Sequence, residues 1–196
     1  MSIIASQTNE YSDESLCSLA ASGDRDAEEV LVERYLRMVR VCARPYFLAG
    51  GDSEDLIQEA TFGLLKAIRE FAPGHDTKFK TFAEVCIRNR IRSAVAMASR
   101  SKHAPLNDSV PFESLMLGLE ASPEDLYISR EEDAERLTRL AQKLSPLERK
   151  ILKLFLHGLS YREISEQVGR PIKSVDNAIQ RIRRKVAGDL GVISES

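Results

Sequence analysis

Tryptophan does not occur in this 196-residue chain, and cysteine and histidine occur three times each. Cys17, Cys42 and Cys86 lie far apart and form no C-x-x-C pair. That spacing argues against a zinc ribbon or a redox dithiol, and reads instead as reduced core thiols of a cytoplasmic protein. His75, His103 and His157 are equally scattered and lack the i, i+4 spacing of a metal-binding helix. No stretch approaches the roughly 18 consecutive apolar residues that a membrane span requires, so no membrane association is expected. The first residues, MSIIASQTNEYSDESL, lack the basic start and apolar run of a secretory signal. Strict alternation of β-branched residues is missing too, which argues against a sheet. No nucleophile–base set, glycine-rich phosphate loop or metal-ligand cluster is legible, so neither an enzyme nor a cofactor is expected.

What the chain does have is sorted charge. The net charge is −2 and the pI about 6.0, yet the two signs are segregated along the sequence. Residues 10 to 33 are mostly acidic. Residues 78 to 102, KFKTFAEVCIRNRIRSAVAMASRSK, carry seven Lys or Arg against Glu84 alone. Between Asn107 and Glu135 nine acids face Arg130, and from Arg170 to Lys185 six basic residues face Asp176. Two basic patches flanking an acidic segment suit a protein that touches a polyanion at two places.

Helix punctuation is frequent. Ser53 follows the Gly50-Gly51 break, while Ser122 and Ser145 precede prolines that fit the first helical position. Ser145 with Glu148, and Ser160 with Glu163, have capping-box spacing. These signals predict helices over 13–22, 25–48, 53–71, 79–101, 123–143, 146–157, 160–168 and 174–188. The fold class expected is all-α, with two helical domains joined by an acidic linker. The boundaries expected are 1–102, a linker at 103–122, and 123–196.

The C-terminal segment SPLERKILKLFLHGLSYREISEQVGRPIKSVDNAIQRIRRKV is the most specific signal. Gly158 can cap one helix in the left-handed conformation, a short helix runs from Ser160 to Gly169, and Ser174 can cap a final basic helix. Two short helices joined by a tight turn describe a helix-turn-helix. Ile164 and Val168 fall where they can face Val175 and Ile179. Ser174 and Asn177 occupy the early exposed face that reaches base edges, whereas Arg181, Arg183, Arg184 and Lys185 are better placed for phosphates. In DLIQEATFGLLKAIREF, residues 55 to 71, Leu56, Ile57, Ala60, Leu64, Ala67, Ile68 and Phe71 form an apolar stripe. Asp55, Gln58, Glu59, Phe62 and Lys66 lie opposite, and an aromatic among polar groups on the wet side is a candidate protein contact. In the basic helix, Ala83, Ile87, Ile91, Ala94, Val95 and Ala98 form the buried stripe. Val85, Arg88, Asn89 and Arg92 share one exposed face able to grip nucleic acid. Phe79 and Phe82 at its front can pack in the core or offer flat faces to unstacked bases.

On these residues the chain resembles bacterial RNA polymerase sigma factors of the sigma-70 family. DLIQEATFGLLKAIREF followed by TKFKTFAEVCIRNRI looks like that family's second conserved region, and the helix-turn-helix is similar to its fourth. ARPYFLAGGDSEDLIQEATFGLLKAIREF and LSYREISEQVGRPIKSVDNAIQRIRRK further resemble the sigma-H type, which serves stationary phase and the onset of sporulation. The resemblance implies a protein that binds core RNA polymerase, directs it to promoters and helps open the duplex, with an anti-sigma factor as a further class of partner. By the same carry-over, Asp55, Gln58, Glu59 and Leu65 would meet the clamp helices of the polymerase's largest subunit. Asn89 and Arg92 would read the upstream edge of the −10 element, and Phe79 and Phe82 would stack against the separated strand. Lys173, Ser174 and Asn177 would face the −35 element, with Arg181 and Arg184 on its backbone.

Where primary sigma factors carry further aromatics, this chain has Thr77, Val85 and Cys86. Each base–aromatic stack is worth roughly 1–3 kcal/mol, so weaker strand capture and stricter promoter choice are expected. A free-standing helix-turn-helix regulator that never binds polymerase is the alternative. It would account for residues 146 to 188 and leave the face of Asp55, Gln58, Glu59 and Phe62 without a purpose.

Overall fold

A computed structural model describes residues 11–48, 53–72, 77–101 and 142–189. Every regular element among them is an α-helix: α1 (Asp13–Ala21), α2 (Arg25–Leu48), α3 (Ser53–Glu70), α4 (Phe79–Ser101), α5 (Pro146–Leu156), α6 (Tyr161–Val168) and α7 (Ile172–Asp189). The expected linker at 103–122 and nearly all of the expected helix 123–143 lie outside the described residues. The packing divides into two units, one built by α1, α3, α4 and most of α2, the other containing α5, α6 and α7.

In the first unit the helices begin where short polar side chains satisfy free N–H groups. Ser12 Oγ accepts the N–H of Ser15 at 3.2 Å to start α1. Asp24 Oδ1 accepts the N–H groups of Asp26 and Ala27 at 2.9 and 3.1 Å to start α2. Between them Gly23 turns the chain at φ +99°, a conformation that costs other residues strain. The apolar stripes then meet in one core, with Leu16 and Cys17 from α1, Leu31, Tyr35 and Val39 from α2, Leu64 and Ile68 from α3, and Phe79, Ile87 and Ile91 from α4 all buried. Gly63 permits the α3–α4 crossing, since a Cβ there would stand 2.9 Å from the Ile87 Cα. At the rim, Arg69 grips both Glu28 oxygens at 2.9 and 3.1 Å.

Among the described residues of the second unit, α5, α6 and α7 form a helix-turn-helix. Ser145 and Glu148 close a reciprocal capping box on α5, with Pro146 at the first helical position. Gly158, at φ +83°, turns the chain toward α6, which begins with a second box between Ser160 and Glu163. Gly169 ends α6 in the left-handed region at φ +63°. Ile164 and Val168 pack against Val175 and Ile179 in a cluster completed by Ile151, Leu152, Phe155, Leu156, Ala178, Ile182 and Val186.

Helix ends fall close to those predicted, with one difference that matters. α7 begins at Ile172 rather than at Ser174. The Pro171 carbonyl accepts the N–H groups of Ser174 and Val175 at 2.8 and 3.2 Å, so the proline opens the helix. Ser174 is therefore inside the first turn and does not cap it.

Candidate nucleic-acid interface

α3 separates its two faces cleanly. Ala60, Leu64, Ala67 and Ile68 are fully buried, while Asp55, Gln58, Phe62 and Lys66 are exposed on the other side. Phe62 shows 55% of its surface, an unusual degree for a phenylalanine that had the option of the core. Leu65 is half-buried beside this face. Glu59 belongs to it as well but is engaged, accepting from Arg90 of α4 at 2.5 Å. The α3 face is thus partly welded to the basic helix, which no helical wheel of either element alone could reveal.

The basic helix α4 sorts its predicted residues three ways. Asn89, Arg92 and Val85 are exposed, Val85 by 51%. Arg88 folds back on Glu84 one turn earlier, 2.9 Å away, and is half-buried. It therefore sits less freely on the surface than the spacing suggested. The two front aromatics part company. Phe79 has no exposed surface at all, with its ring edge-on to Tyr35 and Phe71 at centroid distances of 5.1 and 5.3 Å. A ring so enclosed offers no face to a base, so the stacking role implied for Phe79 is corrected here to a core role. Phe82 is half-buried, tilted against Phe71 at 5.7 Å. With Phe62, Lys66, Val85 and Asn89 it lines a groove of about 680 Å³ between α3 and α4. This groove joins the candidate protein-contact face to the candidate base-stacking face.

On α7 the residues facing away from the core form one line. Lys173, Asn177, Gln180 and Arg184 are all exposed and recur at helical spacing opposite Val175, Ile179 and Ile182. Gln180 was missed by the sequence reasoning, although the i+3 step from Asn177 was there to find it. Ser174 is exposed to one side of the line. Arg181 turns toward α5, where its Nε stands 3.5 Å from Glu148 Oε1. Lys185 makes a closer pair with Glu148 Oε2 at 2.8 Å and also donates to the Lys143 carbonyl at 2.9 Å.

Glu148 is accordingly more than a cap. Burial by itself would raise its carboxyl, but the hydrogen bonds from Lys185 and from Ser145 outweigh that and hold it at about 2. One carboxylate thus fixes the start of α5 and ties it to the second half of α7. Two of the thiols are buried in the first unit's core. Burial, with Asp13 and Glu14 nearby, pushes Cys17 up to about 12, and burial pushes Cys42 up to about 11.

A helix-turn-helix with a polar, basic outer line on its second helix, in one chain with a helical unit that exposes a groove rimmed by aromatics, defines a DNA-binding protein built from two helical modules. Comparison with known proteins narrows the class. Residues 31–101 match the Sigma-70 region 2 model and residues 134–186 match that of Sigma-70, region 4. The chain is 42% identical to the RNA polymerase sigma-H factor of Bacillus licheniformis over 89% of its length and 84% of that protein. It is 40% identical to the RNA polymerase sigma-H factor of Bacillus subtilis (strain 168), over 89% of this chain and 86% of that one. An RNA polymerase sigma-28 factor of Bacillus thuringiensis subsp. kurstaki is 31% identical over 89% and 70%. The chain belongs to the sigma-70 family of RNA polymerase sigma factors. It is an alternative sigma factor, directing RNA polymerase to promoters, and sigma factors are not themselves enzymes. Among the described residues no helix is long and apolar enough to cross a membrane.

Proposed function

We infer that this sigma factor, acting in the cytoplasm, grips core RNA polymerase with the outer face of α3 and promoter DNA with α4 and α7. The division of the chain at 1–102, 103–122 and 123–196 assigns the first module to polymerase and the −10 element, and the last to the −35 element. Asp55, Gln58, Phe62 and Leu65 meet the clamp helices of the polymerase's largest subunit, with Glu59 holding Arg90 at the edge of that contact. Phe82 stacks on the separated strand, while Asn89 and Arg92 read the upstream edge of the −10 element. Lys173, Asn177 and Gln180 face the −35 bases, Ser174 stands at their side, and Arg184 meets the backbone. The chain carries no catalytic activity of its own. An anti-sigma factor would silence it by covering α3.

The observation that carries this reading is Phe62, 55% exposed among polar side chains on a helix whose other face is fully buried. Large exposed aromatics amid polar groups are favoured as interface anchors. Titration of fluorescent protein with core polymerase tests it. Phe62→Ala should weaken binding by about tenfold, the effect of losing roughly 1.4 kcal/mol at an anchor, and should leave thermal unfolding unchanged. Unaltered affinity, or a melting temperature that falls with it, would assign Phe62 to another role.

A further inference from the structure

Helix α1 precedes both matched segments, which begin at residue 31 and residue 134, and no role above uses it. Its first turn nevertheless reaches two neighbouring helices through successive carboxylates, Asp13 to α2 and Glu14 to the front of α4. Glu14 Oε1 accepts the backbone N–H of Phe79 at 3.3 Å, in the first turn of α4, where N–H groups lack helical partners. A negative charge at that end also favours the helix dipole. Asp13 Oδ2 accepts the Tyr35 hydroxyl at 2.5 Å, and Arg34 pairs with the same carboxylate.

Those two tethers hold one end of a continuous series of rings. Tyr35 stands edge-on to Phe79 at 5.1 Å, Phe79 edge-on to Phe71 at 5.3 Å, and Phe71 is tilted against Phe82 at 5.7 Å. The first ring of the series is buried against α1, and the last opens on the groove. Buried rings interdigitate with little free volume, so a shift at Phe79 is passed on through Phe71. α1 is itself anchored by Leu16 and Cys17, both with no exposed surface.

We propose that α1 sets the aim of the strand-stacking ring: Asp13 and Glu14 are positioning residues that hold Phe82 through Tyr35, Phe79 and Phe71. This rests on the reading above in which Phe82 stacks on unpaired bases. It gives the acidic N-terminal helix a part in promoter opening rather than in polymerase binding.

The test uses holoenzyme reconstituted from core polymerase and full-length chain. The probes are a promoter that the holoenzyme transcribes, prepared once as a fork junction with an unpaired −10 strand and once fully duplex. Glu14→Ala should lower affinity for the fork junction by about fivefold, Phe82→Ala by at least as much, and the double variant by no more than Phe82→Ala alone, the non-additivity expected of residues acting through one another. Glu14→Gln keeps an acceptor oxygen and should restore most of the loss, while Tyr35→Phe, which removes one hydroxyl, should reproduce part of it. For the Glu14 and Tyr35 variants, binding to core polymerase and to the duplex at a low temperature that keeps it closed should stay level. Losses that add in the double variant, fork affinity unchanged in Glu14→Ala, or equal weakening on fork and duplex would each overturn the role of α1. If Phe82→Ala alone leaves fork affinity intact, the stacking role of Phe82 fails first and this inference with it.

Discussion

Arg181 and Arg184 are near neighbours on α7 with different employment. Arg181 leans on Glu148, whereas Arg184 extends the outer line begun by Lys173 and Asn177. On randomised −35 sequences, Asn177→Ala should therefore change which bases are preferred, while Arg184→Ala should weaken all sequences alike and lessen the salt dependence. Uniform loss in both would erase the distinction. Glu148 gives a prediction about pH. Its carboxyl is held at about 2, below its ordinary 4.5, so a depressed folded-state value makes its contribution complete above about pH 5 and progressively lost as the pH falls toward 2. Glu148→Gln should cost about 2 kcal/mol at neutral pH by weakening the bonds to Lys185 and Ser145, and should flatten the acid limb of the stability curve. A mutant with the same acid limb as the parent protein would show that other carboxylates govern it. At this scale the sequence was a partial guide. Spacing put Glu148 in a capping box, but nothing local could bring Lys185 and Arg181 to it across the chain. Likewise Phe79 and Phe82 look alike in sequence, and what separates them is the enclosure of Phe79 by the rings of Tyr35 on α2 and of Phe71 just past the end of α3.

Elements were the most legible level. Serines before prolines, glycines at turns and 3.6-residue stripes placed α1 to α7 within a residue or two, because capping and amphipathicity are local properties. The start of α7 slipped because a backbone carbonyl, that of Pro171, did the work expected of the Ser174 side chain. Contacts between elements were less accessible. Gly63 sits in the middle of a strongly helical stretch, where glycine is unfavourable, and only the closeness of Ile87 explains it. Gly63→Ala should destabilise the first unit by about 1–3 kcal/mol despite its better helix propensity, since α3 and α4 must separate to admit the methyl. Chemical denaturation of the full chain would measure this, and a stabilised variant would mean that the crossing relaxes freely. The Glu59–Arg90 pair, 2.5 Å long, adds a surface tie between the same helices, worth a few tenths of a kcal/mol to about 1 kcal/mol.

For the whole molecule, net charge conceals the design and local charge discloses it. A pI of about 6.0 would not mark a DNA-binding protein, yet positive charge is gathered on α4 and α7, the helices argued to meet DNA. Several of the acidic residues that balance it have structural posts: Asp13 and Glu14 hold α2 and α4, and Glu28 holds Arg69. The stretch between the two matched regions carries eight further acids, and the linker expected at 103–122 lies outside the described residues. Modularity made the chain recognisable in sequence, because each module keeps its own pattern of caps and stripes. What the pattern withholds is the promoter itself, since groove-facing side chains specify bases only together with the DNA they meet.

Run-off transcription on genomic promoter fragments, with purified core polymerase in the presence and absence of this protein, bears most directly on the central claim. Discrete transcripts that require both components, and that disappear with Phe62→Ala at limiting protein, are the predicted result. Tight binding of promoter fragments by the protein alone, with no transcript and no association with core polymerase, would contradict it.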